Sequence, residues 1–271
     1  MWDTAGLDPI SARLLRGAGT HGPVVLMYHS IRPGGGTPDW HWSVSYRRFV
    51  AQLDLLHAEG WTTACVRDLT PRSMTARTAV ITFDDGYADN LMAFEALHKR
   101  NMLATWFIPS KVVGKASHWS KLARPILTAE QLREIDAAGM EIGAHSRTHC
   151  RLTQVDDSRL RDEVAGSKGD LEGIIGQEVT TFAYPYGDQN NRVVQAIQHA
   201  DFRLACGTDA GWAFNGADPF RIRRISILAH DGLSVFARKL TFGSNNVKWR
   251  RVGIYTYQRA RTRVFAWRGQ S

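Results

Sequence analysis

Short, dense apolar runs alternate along this chain with longer stretches whose apolar residues recur every three or four positions. The runs read as buried strands and the stretches as amphipathic helices. Pro23–Tyr28 (PVVLMY) is the first run, ending at His29. Trp61–Val66, Ala79–Phe83, Leu103–Ile108, Met140–Ala144, Thr180–Tyr184, Phe202–Cys206 and Ile222–Leu228 follow. Helices are expected between them: from about Ser45 to Gly60, through Leu91, Phe94 and Leu97, from Thr128 to Gly139, over 156–175 and over 190–199. Thr128 with Gln131 three residues later has the spacing of a capping box. Residues 32–42 are rich in Pro and Gly and read as a loop carrying Trp40, His41 and Trp42.

Strand followed by helix, repeated, argues a parallel sheet with helical crossovers, and seven or eight such strands argue closure into a barrel. Such barrels carry their chemistry at the C-terminal strand ends. His29, Asp84-Asp85, His145 and the segment from Pro185 all fall there. The pattern divides the chain into an N-terminal extension (1–22), one barrel domain (23–246) and a C-terminal tail (247–271).

Asp84 and Asp85 stand where a strand must stop. Within a strand one of them would enter a core, but at its end the alternation can break and both can reach one cleft. Two adjacent carboxylates then call for a cation or a shared proton. A polar turn would carry the same residues, since Asp-Gly is a turn signal. His145 and His149, four residues apart, can face one ion. With one carboxylate they make a two-His, one-carboxylate set that suits zinc, iron(II), cobalt or nickel. Phe182-Ala183-Tyr184-Pro185-Tyr186-Gly187 closes a strand with a Pro/Gly turn over the same face.

In this order, TFDDG, H-S-x-x-H and A-Y-P-Y-G resemble the polysaccharide deacetylases of carbohydrate esterase family 4, which include the nodulation-type chitooligosaccharide deacetylases. VLMYHSI and FAYPYG look most like the exopolysaccharide-associated branch. The resemblance covers about residues 23–242. It implies a distorted (β/α)7 TIM-like barrel. It also implies a metal-dependent hydrolase that removes N-acetyl groups from N-acetylglucosamine-type polymers or oligosaccharides. Asp84 matches the catalytic base, and Asp85, His145 and His149 match the metal ligands. Leu228-Ala229-His230 matches the setting of the general acid, with Asp231 or another acid holding the imidazole. The ion implied is zinc, with cobalt or nickel as alternatives. His29, Trp40, Tyr184, Pro185 and Tyr186 are expected to line the substrate groove, and Trp42 and Trp212 could add sugar-stacking planes. One departure concerns the arginine that often opens the third motif and positions the base. Ala183 stands there, and Arg221, Arg223 and Arg224 are candidates to supply the charge. The same metal site could serve an O-acetyl esterase or a small-molecule amidase. A weakly catalytic glycan- or membrane-binding member is a further reading.

The charge balance of the 271 residues, a net +8 with pI near 9.7, points to an acidic partner. Lys248, Arg250, Arg251, Arg259, Arg261, Arg263 and Arg268 lie in the tail with aromatic residues and no acid, a pattern suited to an anionic membrane surface or polymer. Nucleic-acid binding would rest on charge alone and is not expected. Three scattered cysteines argue against a disulfide framework. No stretch has the length of a signal-peptide core or a membrane span, so the expected location is the cytoplasm or a peripheral membrane position.

Overall fold

Almost every apolar run that stops at a polar cluster forms a strand, each parallel to its neighbours. The computed structural model describes residues 6–17, 22–38, 40–70, 77–120, 122–214, 218–250 and 252–254. The strands are β1 (Val24–Tyr28), β2 (Ser30–Arg32), β3 (Ser43–Ser45), β4 (Thr62–Thr63), β5 (Thr78–Phe83), β6 (Ala104–Ile108), β7 (Glu141–Ala144), β8 (Thr181–Ala183), β9 (Leu204–Cys206) and β10 (Ile225–Ser226). The helices are α1 (Pro9–Gly17), α2 (Tyr46–Ala58), α3 (Leu91–His98), α4 (Ala129–Ala137), α5 (Asp157–Ile175), α6 (Asn191–His199) and α7 (Leu233–Phe242).

In space the strands run β10-β1-β5-β6-β7-β8-β9, and β4 pairs with the start of β5. Ile222 bridges Cys206 in parallel, so the segment from Ile222 to Ser226 touches β9 at one end and β1 at the other. The sheet therefore curls into the distorted (β/α)7 barrel that the family resemblance implies, as a single domain.

Side-chain parity sorts the core into two layers. Leu26, Tyr28, Ile81, Phe83, Trp106, Ile142 and Phe182 face the helices. Val25, Val80, Phe107, Ala183 and Cys206 belong to a second cluster, which fills the barrel interior with Ile222. Gly143 must be glycine because a Cβ there would lie 2.6 Å from the Phe107 ring and 2.7 Å from Thr181 Oγ1. Inside the same barrel, Glu141 accepts hydrogen bonds from Thr105 Oγ1 (2.7 Å), Thr181 Oγ1 (2.8 Å) and the Arg67 N–H (3.0 Å).

The Thr128–Gln131 capping box forms as the spacing predicts, with both reciprocal bonds present. Three expectations change. The strand expected over Ile222–Leu228 contracts to Ile225–Ser226. The preceding N–H groups of Arg223 and Arg224 turn instead to Ala213 O and Asp209 O. The strand expected over Trp61–Val66 contracts to Thr62–Thr63, because Val66 opens a short 3-10 turn and donates its N–H to Thr105 Oγ1. The Pro/Gly loop is flanked by a small parallel ladder, β2 with β3, that seats Trp40 and Trp42.

Part of the N-terminal extension is built into the fold. Helix α1 lies on α7, tied by Asp8 N–H to Ser234 Oγ (2.8 Å) and by Arg238 to Ser11 Oγ (2.8 Å). Of the basic tail, residues 251 and 255–271 lie outside the described residues. Trp249 is exposed beneath the Arg238 guanidinium, 4.6 Å from its ring. Among the described residues, no helix is long and apolar enough to cross a membrane.

Candidate active site

Four strands end at one cleft of about 970 Å³. β1 delivers His29, β5 delivers Asp84 and Asp85, β7 delivers His145, and β8 delivers the Tyr184–Tyr186 turn. Backbone pairing continues one residue past the strands, with Asp84 N–H to Tyr28 O (2.9 Å) and His145 N–H to Ile108 O (3.0 Å). The chain then breaks its alternation through left-handed backbone: Asp85 has φ 71°, Ser146 61°, His149 59° and Tyr186 61°. Such residues cost about 1–3 kcal/mol each and persist where the surroundings over-determine them. At Asp85 the result is the one expected, both carboxylates in one cleft. Gly86 follows at φ 65°, with Ile108 Cδ1 2.9 Å from where a Cβ would stand.

Asp85, His145 and His149 converge, all three buried. Asp85 Oδ1 lies 3.0 Å from His149 Nε2 and 3.5 Å from His145 Nε2. Ligands at ~2.0–2.1 Å around a tetrahedral ion stand about 3.3 Å apart, so the three atoms fit one small divalent cation. The hydrogen bonding around the three residues also fits. His145 Nδ1 donates to Ala183 O (2.7 Å), which turns Nε2 toward Asp85. Burial lowers the pKa of His149, outweighing the carboxylates beside it. Burial works to raise Asp85, but the two imidazoles facing it hold its carboxyl well below the usual range. Neutral imidazole and ionised carboxylate are the ligating forms.

Asp84 is held apart from this set. Arg224 Nη1 and Nη2 donate to its two oxygens at 2.6 and 2.7 Å, and Arg224 also bonds Thr82 Oγ1 (3.2 Å) and Gly207 O (2.8 Å). Burial pushes the Asp84 carboxyl up, and the Arg224 charge more than reverses that, leaving it below its ordinary value. Of the three arginines considered for this charge, Arg224 holds it. Ala183 points into the barrel interior, where Arg224 lies fully buried with its guanidinium 5.6 Å from the Phe107 ring. Arg223 lies against Gly211, and Arg221 bonds Asn191 on the outside.

The ligand turn is braced from α5. Buried Glu163 accepts from Arg147 N–H (3.0 Å), Thr148 N–H (2.9 Å) and Thr148 Oγ1 (2.5 Å). Arg147 is clamped by Asp170 and Asp162.

His29, Trp40, Trp42, Tyr184 and Tyr186 line the cleft, whereas Pro185 is buried and shapes the turn without lining it. Tyr184 has a packing role, since its ring is buried and its hydroxyl donates to Phe220 O (2.9 Å). The His29 ring lies tilted 4.4 Å from that of Trp42, and its Nδ1 is buried with no partner among the described residues. His230 lies elsewhere. It is exposed in the turn after β10 and outside the cleft lining. Asp231 does not hold its imidazole, because that carboxylate accepts from Lys239 Nζ (2.5 Å) and Leu228 N–H (2.8 Å). Trp212 packs beneath Gly243, away from the cleft.

Sequence reasoning missed Tyr87, Trp119, Leu122, Arg124, Arg151 and Thr208, which also line the cleft. Trp119 stacks on His149 at 4.3 Å and points Nε1 at Tyr87 Oη (3.2 Å) and Asp85 Oδ2 (3.3 Å). The available signal was position: Tyr87 and Trp119 sit in the loops after β5 and β6, on the C-terminal face.

Residues 72–205 match the polysaccharide deacetylase family. YxkH of Bacillus subtilis, described as a polysaccharide deacetylase, is 28% identical over 209 residues, 75% of this chain and 70% of that protein. The Streptococcus pyogenes deacetylase PplD superposes with a TM-score of 0.71 at 23% identity, over 82% of this chain and 99% of that one. A de-N-acetylase from Aggregatibacter actinomycetemcomitans gives 0.67 at 19% identity, over 79% and 97%. At these identities the two superpositions show the shared fold.

Proposed function

The chain belongs to the polysaccharide deacetylase family, and from that premise we propose that it is a metal-dependent N-deacetylase of N-acetylglucosamine-type glycans, of the exopolysaccharide or cell-surface kind. One observation carries the reading: a cation-ready Asp85-His145-His149 set shares a buried cleft with a carboxylate, Asp84, that an arginine holds away from it. A divalent ion there, zinc by the donor set or else cobalt or nickel, would supply Lewis acidity and lower the pKa of a water.

Asp84 accepts the proton of the attacking water. Arg224 fixes both of its oxygens, and each oxygen keeps a further lone pair for the cleft. The Tyr186 N–H, set by the left-handed turn, is the donor offered to the developing oxyanion. The sugar nitrogen must leave as an amine and needs a proton. His29 supplies it, recharged by the proton that Asp84 takes from the water; its place in the cleft with Asp84 and Asp85, against the outward position of His230, supports this assignment. Trp40, Trp42 and Trp119 offer aromatic planes for the apolar faces of sugar rings.

Acetate release from N-acetylglucosamine oligomers tests the proposal. Wild-type protein supplied with zinc, cobalt or nickel should release acetate, and Asp84→Asn should not. Equal inactivity of the two proteins across several acetylated glycans would defeat it.

A further inference from the structure

The cleft wall is one aromatic series centred on a metal-ligand histidine. On one side of His149 stands Trp119 (4.3 Å), then Tyr87 (6.5 Å from Trp119), then Trp40 (5.7 Å from Tyr87). On the other side the Tyr186 ring meets His149 at 4.7 Å. A guanidinium ends the series on each side. Arg124 lies 4.3 Å over Trp40 and 5.9 Å from Tyr87, and Arg151 lies 4.5 Å over Tyr186. Both arginines line the cleft.

These two arginines differ from most others in the fold. Arg16, Arg100, Arg147, Arg192, Arg203, Arg224 and Arg238 each pair with a carboxylate. Among the described residues, Arg124 and Arg151 form no ion pair, and neither side chain has a hydrogen-bond partner. The carboxylate that feels the field of Arg124, Asp89, accepts from Ser30 Oγ (2.6 Å) and Ile31 N–H (3.4 Å). The carboxylates lining the cleft are Asp84, held by Arg224, and Asp85, held by the imidazoles. The rim thus carries two guanidiniums that no carboxylate among the described residues pairs with. A guanidinium held over a ring face still has N–H donors to offer, and an oxyanion suits them.

We propose that the cleft selects an acidic glycan, one in which sugars flanking the acetylated residue carry carboxylate or phosphate groups that Arg124 and Arg151 bind. This rests on the deacetylase reading and adds the substrate class. A neutral N-acetylglucosamine homopolymer would leave both guanidiniums without an anionic partner.

The test is calorimetric binding by the full, zinc-loaded chain of three hexasaccharides: neutral N-acetylglucosamine, alternating N-acetylglucosamine and glucuronate, and N-acetylglucosamine carrying 6-phosphates. At least one acidic ligand should bind about 10-fold or more tightly than the neutral one, the low end for charge-assisted hydrogen bonds at a part-exposed site. Preference for the uronate identifies a carboxylated glycan, and preference for the phosphate a phosphorylated one. Arg124→Gln and Arg151→Gln should each cut that preference several-fold, with Lys at either position restoring part of it and the melting temperature of each variant unchanged. Equal affinity for all three ligands, no binding of any, or a preference untouched by the double variant would overturn the proposal. Anionic vesicles bound through the same arginines, without discrimination among the sugars, would overturn it too. The two readings separate cleanly. Arginine-dependent preference without acetate release defeats the catalytic reading alone, and acetate release without preference defeats this one alone.

Discussion

Arg224 grips both oxygens of Asp84, at 2.6 and 2.7 Å, across 140 residues of chain and inside the barrel. Both partners are buried, so the pair is a desolvated fork with nothing to replace either charge. Removing one partner of such a pair costs about 3–5 kcal/mol, because the other charge stays buried alone. Arg224→Gln is therefore expected to destabilise the protein by that order. Asp84→Asn added to Arg224→Gln should recover much of the loss, and denaturant unfolding of both singles and the double closes the cycle. Additive losses would mean that the two residues do not act as a pair.

Glu163 holds the ligand turn through two backbone N–H groups and one hydroxyl without touching the ligand atoms. Outer-shell partners of this kind are worth about 10–100-fold in metal affinity. Glu163→Ala should weaken zinc binding by that factor, read by competition with a chromophoric chelator. An affinity equal to wild type would show that the turn holds itself.

The assignment of the leaving-group proton separates two histidines. His29 lines the cleft with Asp84 and Asp85, and His230 is in solvent. His29→Gln should lower kcat by about 100-fold or more, the scale of lost general acid catalysis. His230→Gln should change it by no more than about twofold, as for a surface substitution. The reverse ranking would restore the late-strand histidine to the role.

Glu141 supplies a pH test remote from the chemistry. Burial raises its pKa, against three hydrogen bonds that lower it. A carboxyl with a raised folded-state value stabilises the fold fully below its unfolded pKa of about 4.3 and loses that contribution as pH rises through the folded value. Glu141→Gln keeps the shape and a partner for each hydroxyl. Its melting temperature relative to wild type should therefore climb as pH rises above the ordinary carboxylate range. A difference independent of pH would show that Glu141 titrates alike in both states.

The sequence revealed what depends on short-range order. The strand ends that present Asp84, Asp85, His145 and His29, the Thr128–Gln131 cap and the barrel all follow from local periodicity and spacing. Long-range pairings were less legible. The partner of Asp84 could be narrowed to three arginines, and only the closure of β9 against Ile222 singles out Arg224. His230 has the right local setting, yet the Lys239–Asp231 contact anchors its turn outside the cleft. Trp119 and Arg124 come from a loop without periodicity, so no local pattern could place them against His149 and Trp40.

The central claim is that the Asp85-His145-His149 set holds the ion on which removal of an N-acetyl group depends. Its most direct test takes chelator-treated protein, adds zinc in steps, and counts acetate and new primary amine from N-acetylglucosamine oligomers in the same sample. The account predicts no turnover before zinc, activity saturating at one equivalent, equal amounts of acetate and amine, and loss of both zinc binding and turnover in His145→Ala. Full activity in the metal-free protein, or acetate without amine, would contradict it.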